Sequence, residues 1–159
     1  MKYSLFIPIA LLLIASFFFA SCEGGLEPPI EEPNPTGVIT GSITYSGKWP
    51  TEDSLVDLRF VPLKSPPQTA QDIFADIENL VFSERLDFFV EKDSFTVNEV
   101  PNGVYVYNTV AQQFGNNIFG DWKPVGLYDQ NDGIIIVEGD TTTITIHVDF
   151  DNLPPFPPE

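Results

Sequence analysis

Residues 142–150 read Thr-Thr-Ile-Thr-Ile-His-Val-Asp-Phe. In an extended chain Ile144, Ile146, Val148 and Phe150 fall on one side, and Thr143, Thr145, His147 and Asp149 fall on the other. A period of two marks a strand with one buried and one solvated face. Such a strand cannot stand alone, because its apolar side must be covered by another layer.

Other segments repeat the pattern. Val38 to Tyr45 is β-branched, with Gly41 marking a bulge or a close approach. Leu55 to Pro62 sets Val56, Leu58 and Phe60 against Asp57 and Arg59. Leu86 to Val90 and Ser94 to Val97 read as short strands around a turn at Lys92-Asp93. Val104 to Ala111 reads as one long strand, and Pro124–Tyr128 and Ile134–Val137 complete the set. Only Thr69–Val81 breaks the rule. Ile73, Phe74, Ile77, Leu80 and Val81 recur at helical spacing after Pro66-Pro67, with Asp72 and Asp76 in the first turns. That spacing predicts a short helix, packed on an end or edge of the sheets or offered to a partner. The expected fold is all-β: an antiparallel two-sheet sandwich of about seven strands with one short helical insert, over residues 37–150.

The ends differ in composition. Residues 1–21 begin Met1-Lys2, continue with an apolar run from Leu5 to Phe19, and end in small residues. These features describe a secretory signal. Phe19-Ala20-Ser21-Cys22 resembles the lipobox of bacterial lipoproteins, in which cleavage leaves an acylated cysteine. That resemblance implies lipidation at Cys22, a palmitate-type anchor, and a cell-envelope location in the Gram-negative outer membrane, facing periplasm or exterior. Residues 22–36 are rich in proline, glycine and glutamate, which suits an extended tether rather than a core. Residues 151–159 form a second proline-rich stretch, read as a C-terminal tail.

Within 37–150, Val38-Ile39-Thr40-Gly41-Ser42-Ile43-Thr44-Tyr45 and Ser94-Phe95-Thr96-Val97-Asn98-Glu99-Val100-Pro101-Asn102-Gly103-Val104-Tyr105 resemble the carboxypeptidase-regulatory-like domains. Those domains share a transthyretin-like (prealbumin-like) sandwich. Gly126-Leu127-Tyr128 and the closing strand fit the same resemblance. It implies a non-catalytic module that binds or spaces a protein partner.

Charge and motif content narrow the chemistry. The formal charge of −16 opposes nucleic-acid binding, which needs basic surface to displace counterions. One cysteine and one histidine cannot build a structural zinc site. His147 sits among strand threonines, with no Gly-x-Ser-x-Gly elbow in the chain, and no phosphate-binding glycine loop occurs. The expected chain is therefore not an enzyme and carries no cofactor. Asp129-Gln130-Asn131-Asp132-Gly133 offers oxygens but reads as a hairpin turn rather than a calcium loop, so no metal site is expected. Residues 112–122 combine length, polarity and aromatic rings. They make the candidate ligand loop, with Phe114, Asn116, Asn117, Phe119 and Trp122 as its contact residues. Exposed rings there could stack on sugars, which gives the alternative function, a surface glycan-binding lipoprotein.

Overall fold

The computed structural model describes residues 35–74 and 77–158. The signal segment, Cys22 and nearly all of the acidic tether lie outside the described residues. Among the described residues no helix is long and apolar enough to cross a membrane.

The chain is all-β. Its strands are β1 (Thr36–Ser46), β2 (Asp57–Leu63), β3 (Lys92–Pro101), β4 (Gly103–Tyr105), β5 (Tyr107–Gln113), β6 (Trp122–Leu127), β7 (Ile135–Val137) and β8 (Thr141–Asp149). They form three sheets, ordered β3-β1-β8, β2-β5-β6 and β4-β7. The buried faces of all three feed one apolar core. Ile39 and Ile43 enter from β1, Leu58 and Phe60 from β2, Val110 from β5, and Ile144, Ile146 and Val148 from β8. Phe60 is fully buried, its ring 4.3 Å from that of Phe95. The period-two pattern of the last strand thus faces as its residues dictate: Ile144, Ile146 and Val148 are buried, and Thr143, Thr145 and His147 are exposed.

Four expectations need correction. First, the pairing is mixed rather than antiparallel, because β1 and β8 run parallel from Val38↔Thr141 to Ser46↔Asp149. The long chain between these two strands leaves room for the crossover that parallel pairing requires. Second, Val104–Ala111 is not one strand. Tyr105 pairs with Ile135, Tyr107 pairs with Leu63, and the chain changes sheets at Val106. Third, Leu86–Val90 is not a strand. The Ser83 and Leu86 amides donate to Phe60 and Leu58 carbonyls at 3.0 and 2.9 Å, and Phe89 takes φ 59°, which an extended chain does not allow. Lys92-Asp93 accordingly lies inside β3. Fourth, the described residues of Thr69–Val81 form no α-helix. A 3-10 turn covers Ala70–Phe74 only. The Asp72 carboxylate folds back onto the Gln68 and Thr69 amides at 2.9 and 2.7 Å, which satisfies the turn at its start. Its apolar residues then spread along a cleft wall. Asp76 lies outside the described residues.

Glycine matters most at Gly126 of β6. A Cβ there would sit 2.6 Å from a Val148 methyl, so glycine lets β6 approach β8. Gly41, in turn, marks a close approach rather than the bulge, since a Cβ there would meet the Ile144 carbonyl. The register shift in β1 lies between Gly37 and Ile39. Tyr105 lies in the core, and its hydroxyl donates to the Pro101 carbonyl at 2.7 Å, closing the Pro101-Asn102-Gly103 turn. The C-terminal stretch is not wholly free of the domain, because Leu153 packs against the core.

The segment at Ser83 seals the free edge of β2. The Ser83 hydroxyl accepts the Phe60 amide at 2.9 Å and donates to the Glu84 carbonyl at 2.7 Å. Ser83→Ala leaves a buried N–H unpaired, and should cost about 1–2 kcal/mol. A urea titration with an unchanged slope and a lowered midpoint is the expected result. An unchanged midpoint would show that this contact does not hold the edge.

Tyr45 makes a second prediction. Its ring packs on Trp49 (4.8 Å) and Phe150 (6.2 Å), closing one end of the core, while its hydroxyl is buried without a partner. Burial, then the nearby charges of Asp93 and Asp87, push the phenol well above its usual range. Burial also raises Tyr105 and Tyr107. A raised folded value favours the neutral phenol, so this stability is complete below the unfolded value of about 10 and is lost as pH climbs above it. The denaturation midpoint should hold between about pH 7 and 9 and fall beyond about 10. Tyr45→Phe should flatten that fall without loss at neutral pH, because an orphaned hydroxyl is removed. A parallel alkaline fall in the variant would overturn the assignment.

Candidate functional site

The outer face of the β2-β5-β6 sheet is not open to solvent. Every residue of β5 is buried, on both of its faces. That is unusual for Tyr-Asn-Thr-Val-Ala-Gln-Gln, and its polar side chains are partly hydrogen-bonded, with Tyr107 Oη, Asn108 Oδ1 and Gln112 Oε1 buried without a partner among the described residues. Asn108 Nδ2 donates to the Tyr105 and Gly133 carbonyls, Thr109 Oγ1 to that of Gly126, and Gln113 Nε2 to that of Gly115. The cover comes from two segments, the stretch from Ile73 to Phe82 and the β5–β6 loop. Between them and the sheet lies a cleft of about 520 Å³. A volume of that order suits a small ligand or one or two side chains.

The cleft floor follows from strand register. Asp57, Gln113 and Trp122 lie side by side across β2, β5 and β6, and Arg59 pairs with Ala111 one step along the same face. Strands lie about 4.8 Å apart, so these side chains form a short row. The walls are Ile73, Phe74, Ile77, Leu80 and Phe82 on one side, and Ile118 and Phe119 on the other. Phe74 and Phe119 meet edge to face at 5.3 Å, so the two walls touch. Ile77, Phe82, Ile118 and Phe119 remain exposed. An apolar rim around an apolar cleft is what a binding surface presents.

Polar groups inside are few. Arg59 Nε donates to Asp57 Oδ2 at 2.8 Å, its Nη1 donates to the Ser83 carbonyl at 3.0 Å, and its guanidinium lies 5.0 Å from the Phe82 ring centre. The pair neutralises itself, so the floor carries no net charge. Trp122 forms part of the cleft lining, with its Nε1 donating to the Ile118 carbonyl at 2.9 Å.

The structure separates the residues of the candidate loop. Phe119 and Trp122 line the cleft, and Trp122 opens β6 rather than lying in the loop. Phe114 is exposed beneath Lys123, whose Nζ lies 5.8 Å from its ring. Asn116 is exposed and is not part of the lining. Asn117 holds the loop together: its Oδ1 accepts the Phe119 amide, its N–H donates to Asp121 Oδ2, and its carbonyl accepts the Gly120 and Asp121 amides. Sequence reasoning missed Asp57 and Arg59 as the floor, and Ile73 to Phe82 as the wall; Gln113 fell inside the candidate loop and closes β5 instead. One signal was available. An apolar segment that follows Pro66-Pro67 and is too irregular for a strand must cover an apolar face somewhere.

Outside the cleft, the other candidates hold ordinary structural positions. Both ring nitrogens of His147 are taken by hydroxyls, Thr44 Oγ1 at 3.0 Å and Ser46 Oγ at 3.1 Å, on an exposed sheet face. Among the described residues no carboxylate orients the ring as a catalytic triad requires. The Asp129–Gly133 segment is a turn, with Asn131 at φ 49° and Asp132 at φ 55°. Among the described residues no three Asp, Glu, His or Cys converge to hold a metal. Trp49 stacks near Tyr45, Phe89 and Phe150 and plugs one end of the core.

Comparison with protein-family models, with curated proteins and with solved structures finds no match. The geometry itself defines the class: an all-β domain whose second sheet carries a covered, apolar cleft on its outer face.

Proposed function

We propose that this chain is a non-catalytic binding module, lipid-anchored in the cell envelope through Cys22, whose cleft receives an apolar group of a protein partner. The observation that carries the binding reading is the cleft itself, walled by Phe74, Phe82 and Phe119 and floored by a self-neutralised Asp57–Arg59 pair. The anchor reading rests on Phe19-Ala20-Ser21-Cys22. The domain is a transthyretin-like sandwich in this reading, supported by the two three-stranded sheets that share one core and by the Pro101-Asn102-Gly103 turn. The glycan alternative finds less support. Sugar binding needs several hydrogen-bonding groups around a ring, whereas Asn116 lies off the lining and Asn117 is spent on its own loop.

The test uses the purified full chain and N-phenyl-1-naphthylamine, a neutral apolar fluorophore. A saturable, single-site rise in emission at micromolar concentration is expected. Absence of saturable binding, or displacement of the probe by neutral oligosaccharides, would overturn the reading. Mass spectrometry of the mature N-terminus tests the anchor: an acylated Cys22 is expected, and an uncleaved chain with a free thiol would contradict it.

A further inference from the structure

The cleft lining includes two polar side chains with hydrogen-bonding capacity that no described residue takes up. Gln113 is 6% exposed, and its Nε2 is engaged by the Gly115 carbonyl. Its Oε1 accepts no hydrogen bond from the described residues. Arg59 uses Nε and Nη1, which leaves Nη2 with no partner among the described residues. The two residues sit on adjacent strands, in neighbouring rows of the cleft floor. One atom is an acceptor and the other a donor. Gln113 is nearly buried, so a ligand that leaves its acceptor unpaired loses affinity, whereas the Arg59 side chain is 26% exposed and loses less. The complementary group is one that donates and accepts within a few ångström, as an amide does.

Charge narrows the occupant further. The lining has no net charge, but near lining residues in sequence stand Asp72, Glu78, Glu84 and Asp121, with Arg85 and Lys123. Both of those cations lie over rings, Arg85 above Phe88 at 4.4 Å and Lys123 above Phe114. The whole chain carries −16. An anionic amphiphile would enter this field at a loss, and a cationic segment would be drawn in.

We propose that the occupant is an apolar side chain presented by a cationic peptide segment of another protein, with a peptide amide pairing to Gln113 Oε1 and Arg59 Nη2. This rests on the cleft reading above. The apolar walls supply the burial, the amide pair fixes the register, and the acidic surround selects the sign of the partner.

The experiment is displacement of bound N-phenyl-1-naphthylamine from the full chain by four probes. They are the blocked peptides acetyl-Arg-Phe-Arg-amide, acetyl-Ala-Phe-Ala-amide and acetyl-Glu-Phe-Glu-amide, and decanoate. The cationic peptide should displace at a concentration at least about tenfold below the acidic one. That gap should shrink severalfold between about 0.02 and 0.5 M salt, as screening shortens. Gln113→Leu should weaken the cationic peptide about tenfold, the value of one lost hydrogen bond to a nearly buried acceptor. Decanoate displacing as well as the cationic peptide, equal displacement by peptides of either sign, or an unmoved Gln113→Leu would overturn the proposal. The salt dependence is read on the unaltered chain, so a folding defect in the variant does not remove the test. Failure of the fluorophore to bind at all would instead sink the cleft reading itself.

Discussion

Phe60→Ala is expected to remove about 3–5 kcal/mol of folding stability, the range for truncating a fully buried aromatic ring. Phe60 has no exposed surface, stacks on Phe95 across the core, and lies where the edge segment is tied to β2 through Ser83. Truncation therefore empties the contact between two sheets and leaves a cavity with strands on both sides, which cannot collapse without moving both. A small domain has only about 5–15 kcal/mol in total. The variant should unfold at a much lower urea concentration, and it should lose cleft binding only in proportion to the fraction unfolded. A loss under about 1 kcal/mol would mean that the sheets do not meet at Phe60.

Trp122→Ala should act in the opposite way, with a large effect on binding and a small one on stability. Trp122 is half-buried at the start of β6 and contributes its ring to the cleft rather than to the core. Its indole nitrogen also fixes the Ile118 carbonyl, and hence the loop wall. Removing it deletes contact area and loosens that wall together. A loss of about 2 kcal/mol or more, roughly thirtyfold in affinity, is expected for such an anchor. Trp122→Phe keeps most of the apolar contact and should recover most of the binding. Equal affinity in the wild type and Trp122→Ala would place the apolar site elsewhere.

The strands were legible because their chemistry is local. Thr141–Asp149, Thr36–Ser46 and the first half of Asp57–Leu63 alternate as a half-buried extended chain must. What was illegible depends on distant partners. Nothing local says that Tyr105 pairs with Ile135 while Tyr107 pairs with Leu63. Parallel pairing of β1 with β8 joins the two ends of the domain and leaves no mark on either strand. The Ile73–Phe82 segment misled for a related reason. Its apolar spacing suits a helix, but the residues answer to the shape of the cleft, and the Asp72 carboxylate closes its own turn first. The site was half legible. Phe119 and Trp122 stood out as rings in a polar loop that also held Gln113, whereas Asp57 and Arg59 looked like solvated strand positions.

The central claim is that an apolar group enters the cleft beside Trp122. The chain has two tryptophans, which makes a direct measurement possible. Trp122 lines the cleft, and Trp49 plugs the core against Tyr45 and Phe150. Their indole N–H groups give two separate resonances in a proton–nitrogen correlation spectrum. Titration with N-phenyl-1-naphthylamine should shift the Trp122 indole resonance saturably and leave that of Trp49 in place. A shift of Trp49 alone, or of neither, would contradict the account.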